Sequence, residues 1–140
     1  MGTIVKTRDL PSLQRGGLQL PVIYCNPDDQ LLEMSVSISV QLASKLASVK
    51  TTRRSMRLEQ FFQQVLMSLP ENPVIRDFDV MFNPEYEVDL LRIMCSVART
   101  KPFRVIWPGK YEDGKLIYAE DGYADYKVFD IKQYDVTCVI

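Results

Sequence analysis

Residues Val74 to Tyr126 constrain this chain more than any other stretch: an apolar strand, an amphipathic helix, a second strand, then an acidic meander rich in turns. Strands separated by helices imply parallel pairing with right-handed crossovers, because each helix must pack back onto the sheet it leaves. That order fits the second half of a nucleotide-binding α/β domain, yet the phosphate-gripping half expected before it is missing. Gly109-Lys110-Tyr111-Glu112-Asp113-Gly114-Lys115 satisfies the letters G-x-x-x-x-G-K, but Leu116 stands where a Ser or Thr hydroxyl would meet Mg²⁺. A phosphate loop must also open a helix, whose free N–H groups hold the anion. Here Leu116-Ile117-Tyr118-Ala119 reads as another strand, so the glycines mark a hairpin turn.

Residues 1–19 read as an irregular N-terminal arm broken by Pro11, Gly16 and Gly17, and residues 20–140 as a single α/β domain. A chain of this length buries roughly 70% of its unfolded surface as one domain. Pro21 to Cys25 is a short apolar strand that ends in Asn26-Pro27-Asp28-Asp29, turn chemistry without a glycine cradle. Met34 to Val40 sets Val36, Ile38 and Val40 against Ser35, Ser37 and Ser39, the period of a half-buried strand. Leu42, Ala43, Leu46, Ala47 and Val49 then recur at helical spacing. Leu58, Phe61, Phe62, Val65, Leu66 and Leu69 stripe the next helix, with Thr52 or Ser55 as its cap. Val74 to Phe82 predicts a strand, Tyr86 to Arg99 a helix, and Phe103 to Trp107 a strand cut off by Pro108. Three short strands follow, at 116–119, 126–129 and 135–139. The expected fold is α/β: a mostly parallel sheet with flanking helices, like a degenerate phosphate-loop NTPase, with C-terminal antiparallel strands at one edge.

The chain has no histidine, which removes Ser-His-Asp and Cys-His catalysis and every zinc site that uses imidazole. Cys25, Cys95 and Cys138 are odd in number and widely spaced, as free thiols in a reducing compartment would be. The N-terminus lacks the apolar core of a secretory signal, and the expected localisation is cytoplasmic. No run of 18 apolar residues exists, so no membrane partner is expected. The formal charge of −1 argues against coating nucleic acid through bulk charge, though a local patch can still bind it.

Three constellations can carry function. Lys45, Lys50, Arg53, Arg54 and Arg57 fall within 45–58 with no acid among them. Arg53, Arg54 and Arg57 lie near a helix start, where the dipole disfavours cations, which makes them candidates for binding an anion or a nucleic-acid backbone. The more economical reading is that these cations and residues 111–140, which carry seven acids against three lysines, complement one another within the fold or are simply solvated. Asp77 and Asp79 lie near the expected end of the strand from Val74, where i and i+2 carboxylates share a face and can hold a hard cation. Arg76, however, occupies the natural place of a metal-holding acid. Trp107, Tyr111, Tyr118 and Tyr123 stud the C-terminal meander and can present rings to a partner. They can equally cap an open sheet edge, which is the more economical reading.

Asp77-Phe78-Asp79-Val80-Met81-Phe82-Asn83-Pro84-Glu85, Val88-Asp89-Leu90-Leu91, Ile106-Trp107-Pro108-Gly109, Glu112 to Glu120 and Tyr126 together resemble the C-terminal portion of the BrxF family. BrxF proteins are the small phosphate-loop proteins of type 3 BREX (bacteriophage exclusion) systems. The strand at Val36–Val40, the run Gln41 to Leu46 and the pair Arg53-Arg54 are similar to that family in order and spacing, so the resemblance covers approximately 34–135. The family's nucleotide motif should precede the second strand, and nothing between Gly2 and Met34 matches it. The resemblance therefore implies a divergent member that kept an ATPase-type scaffold and lost its nucleotide site. Such a protein would be a non-catalytic adaptor or regulatory subunit whose partners are other defence-system proteins, with no cofactor of its own. The alternatives are a divergent ATP- or metal-dependent enzyme using Asp77 and Asp79, or a nucleic-acid-binding protein using Arg53, Arg54 and Arg57. A homo-oligomer is compatible with each.

Overall fold

The computed structural model describes residues 1–12 and 18–140. In chain order its elements are β1 (Thr3–Val5), β2 (Val22–Tyr24), α1 (Asp29–Met34), β3 (Val36–Ser37), α2 (Ser39–Ala47), α3 (Arg54–Met67), β4 (Val74–Arg76), α4 (Leu90–Ala98), β5 (Arg104–Ile106), β6 (Lys110–Glu112), β7 (Lys115–Tyr118), β8 (Lys127–Asp130) and β9 (Thr137–Val139). The class is α/β. Six strands form a wholly parallel sheet in the order β1-β9-β2-β5-β4-β3, and β6-β7-β8 form a separate antiparallel sheet.

The strands of the large sheet are short, and its central ones are apolar on both faces, as crossover helices require. Its register sets Val36, Ile75, Val105, Ile23, Cys138 and Ile4 side by side across all six strands. The middle four of these are fully buried. The helices close over this row with apolar stripes. Leu42 and Leu46 point inward from α2; Leu58, Phe61, Phe62, Val65 and Leu66 do so from α3; and Leu91, Met94 and Val97 from α4. Phe62 meets Phe103 edge-on at 5.5 Å, tying α3 to the start of β5. No helix among the described residues is long and apolar enough to cross a membrane.

Five sequence expectations need correction. Thr3–Val5 is not irregular: it pairs in parallel with β9 and forms one edge of the large sheet. Pro11 falls within a 3₁₀ helix at Thr7–Ser12, whereas Gly16 and Gly17 lie outside the described residues. The strand expected over 34–40 shrinks to β3, because Ile38 continues into the helical stripe of Leu42 and Leu46 while Val40 is 76% exposed. The strand from Val74 stops at Arg76, because Asp77 turns into the left-handed region at φ 62°. A 3₁₀ turn at Asp79–Phe82 follows and buries Met81 and Phe82, and α4 starts only at Leu90, capped by Asp89. Finally, 135–139 does not join the antiparallel strands: β9 inserts between β1 and β2.

The small sheet is anchored by rings. Phe82 stacks on Tyr118 at 3.6 Å and meets Trp107 edge-on at 5.6 Å, while Trp107 meets Phe129 at 5.8 Å. Phe82→Ala should cost about 3–5 kcal/mol in a urea titration, the range for deleting a buried phenyl group. A loss below 1 kcal/mol would mean that the two sheets are not joined through this cluster.

Candidate functional site

In open α/β sheets, ligands bind at the carboxyl ends of the strands, where crossovers leave in opposite directions. Here that place is the end of β2: the chain leaves it for β3 on one side, while β9 and β1 lie on the other. A recess of about 200 Å³ opens there, lined by Thr7, Tyr24, Asn26, Asp28, Leu31 and Met34, with Pro27 and Gln30. None of the eight is a cation. The Leu31 N–H donates to Asp28 Oδ1 at 2.8 Å, so the first turn of α1 is closed by the protein's own carboxylate. A carboxylate in that position takes the N–H group and the dipole that a phosphate would need, and repels a polyphosphate besides. The recess suits a neutral or cationic group.

The loop carrying the phosphate-loop letters is a hairpin. Asp113 and Gly114, at φ 49° and 78°, form the two-residue turn between β6 and β7, as an Asp-Gly pair with two positive φ angles does. Gly109 is needed for a different reason: a Cβ there would lie 1.9 Å from the Ile117 carbonyl oxygen. Trp107 Nε1 donates to that same oxygen at 3.0 Å.

Asp77 and Asp79 are engaged separately, since no strand continues past Arg76 to aim both at one face. The Arg76 guanidinium donates to Asp77 Oδ2 at 2.5 Å and to Ser35 Oγ at 3.0 Å. Tyr118 donates its hydroxyl to Asp79 Oδ2 at 3.0 Å. Burial pushes the Tyr118 phenol up to about 12, with the Asp79 hydrogen bond and charge adding to it. Among the described residues, no group of three or more Cys, Asp or Glu is arranged to hold a metal ion.

Arg53, Arg54 and Arg57 gather at the corner where α2 turns into α3. Arg54 Nε donates to the Val49 carbonyl at 3.4 Å. Arg57 Nε donates to Gln60 Oε1 at 2.8 Å, its guanidinium 5.1 Å from the centre of the Phe61 ring. Lys45 donates to Gln64 Oε1. None of these cations, nor Lys50 or Arg53, takes part in an ion pair among the described residues.

The proposed partner surface must also be corrected. Trp107 is only 4% exposed, and Tyr118 is occupied by Phe82 and Asp79, because both rings fasten the small sheet to the large one. Tyr111 is half-buried against the core. Tyr123 alone of the four stands out, at 65% exposure.

One cluster escaped the sequence reading. Tyr134 donates to Asp89 Oδ2 at 2.8 Å, Arg92 Nε lies 3.6 Å from the same oxygen, and the Arg92 guanidinium sits 5.6 Å from the Tyr134 ring centre. The i, i+3 pair of a capping Asp and an Arg was its visible signal; the tyrosine, 45 residues away from Asp89, had none. Arg92 and Arg99 line an adjoining cavity of about 280 Å³ with Cys95 and Ser96. Desolvation raises the Cys95 pKa, so its thiol stays protonated.

No family model, curated protein or solved structure matches the chain.

Two measurements check this geometry. Gly109→Ala should lose about 1–3 kcal/mol, as overpacking against a fixed carbonyl does, and should shift the Trp107 fluorescence. Tyr118 has a folded pKa near 12 against an unfolded value near 10. Stability should therefore be unaffected by this group below pH 10 and fall as pH rises towards 12, because only the unfolded chain releases the proton. Tyr118→Phe should flatten part of that alkaline decline; an unchanged decline would mean that the phenol is not held by Asp79 and the packing around it.

Proposed function

We propose that this chain is a non-catalytic adaptor or regulatory subunit of a bacterial antiphage defence complex, built on an ATPase-like scaffold that lacks a nucleotide site. One observation carries this reading: the turn after β2, where a phosphate loop would stand, is Asn26-Pro27-Asp28-Asp29, and Asp28 caps the helix that follows. The resemblance of residues 34–135 to the BrxF family supplies the defence context and the expected cytoplasmic setting. A scaffold of this class without a phosphate grip retains helices, edges and loops as contact surfaces, and those are what an adaptor uses. Asp77 and Asp79, the acids of the enzymatic alternative, each have a partner within the protein, Arg76 for the first and Tyr118 for the second.

Two results are expected. Isothermal titration with Mg²⁺-ATP should show no saturable heat. In a host whose phage resistance depends on this gene, deletion should abolish protection, and Asp77→Asn or Asp79→Asn should restore it as well as the unaltered gene does. Tight Mg²⁺-ATP binding that Asp77→Asn abolishes would overturn the reading.

A further inference from the structure

The protein carries two oppositely charged faces, and neither forms an ion pair of its own among the described residues. The first is the α2–α3 corner. From Met34 to Leu58 the chain has no acid, and its five cations make no ion pair among the described residues. Lys50, Arg53 and Arg57 are exposed there, and Met56, between the two arginines, is 80% exposed. A thioether so open in the middle of a cationic patch covers no part of this protein's own core.

The second face is the loop between β7 and β8. Glu120, Asp121 and Asp125 stand on it with no cation from Leu116 to Tyr126. Glu120 and Asp121 are exposed and unpaired among the described residues. Tyr123 projects between these acids. The loop holds a defined shape: Ala119 and Gly122 take positive φ, and the N–H groups of Tyr123 and Tyr126 donate to the Glu120 and Tyr123 carbonyls at 3.1 Å each.

The two faces match in kind. One sets an exposed methionine among guanidinium groups, the other an exposed tyrosine among carboxylates, and sulfur–aromatic and charge-assisted contacts both favour bringing them together. We propose that the α2–α3 corner of one copy docks on the Glu120–Asp125 loop of a second copy, giving a head-to-tail self-association. Because the two faces differ, the contact is heterologous, so each open assembly keeps one free face of each kind, at its two ends, until a ring closes. A nucleic acid would satisfy only the basic corner, and it would approach a protein with 18 acids against 17 cations. A second copy satisfies both faces at once. The proposal stands whether or not the chain serves in antiphage defence.

Sedimentation velocity on the full chain at high micromolar concentration tests it. In about 0.01 M salt, where charges act over about 30 Å, the mean mass should exceed the monomer. In about 1 M salt, where they act over about 3 Å, it should return to the monomer value of 16.1 kDa. Arg53→Glu with Arg57→Glu, and separately Glu120→Lys with Asp121→Lys, should each remain monomeric at low salt with an unchanged far-UV spectrum. An equimolar mixture of the two double variants should associate again, because each then offers the face the other lacks. Met56→Ala and Tyr123→Ala, which leave the charge unaltered, should weaken association several-fold, a result that general attraction between oppositely charged variants would not give. A monomer at low salt, association indifferent to the reversals or to Met56→Ala and Tyr123→Ala, or a mixture that stays monomeric would each overturn the proposal. So would a basic corner that binds a DNA duplex in place of the second copy, with a salt dependence that weakens in Arg53→Ala.

Discussion

A single row of side chains holds the large sheet in register: Ile75, Val105, Ile23 and Cys138, fully buried and one on each of four neighbouring strands. Each strand contributes only three residues, so little register information comes from strand length. It comes from which residue is apolar at the centre. A slip of one position would move Arg104 or Thr137 into that row and turn its apolar members to the other face. The helices depend on this row as well, since their stripes share one core with it.

The sequence made the apolar elements legible and misjudged most of their ends. The helix stripe of Leu58 to Leu66 and the strand at Pro21–Cys25 stand where periodicity and composition put them. Two of the failures share one cause: backbone turns made by residues other than glycine or proline. Asp77 and Glu87 adopt positive φ, and each cuts short an element that the hydrophobic pattern would extend. The serine–valine alternation at 34–40 was read with the wrong period because Ile38 belongs equally to a strand and to a helical stripe. β1 was missed altogether. Its residues, Thr3-Ile4-Val5, have strand propensity, but three residues with no long-range partner in view cannot be told from an arm.

The candidate sites were legible as groups of residues and not as geometry. Neither the carboxylates nor the aromatic rings announce how they are used. Asp79 and Tyr118, 39 residues apart, meet only because the 3₁₀ turn after β4 carries Phe82 under the small sheet. Trp107 looked like a contact residue because it lies beside Pro108 and Gly109; its indole N–H instead binds the hairpin's own carbonyl. Tyr123 and the arginine corner remain outside this network, and both keep charge or apolar surface exposed.

The position of β9 has a further consequence for how the protein is made. β2 has no partner on one flank until residues 137–139 arrive to lie along it, and the strand that β1 pairs with is formed by those same residues. Thr3 and Thr137 are paired in space and almost the whole chain apart in sequence. On the ribosome, β1 therefore waits without a binding place while every helix emerges, and the apolar edge of β2 stays open to other chains throughout. Completing the sheet is a late, long-range closure of the kind that slows folding. During that interval the nascent protein is at its most vulnerable to mispairing and to proteases.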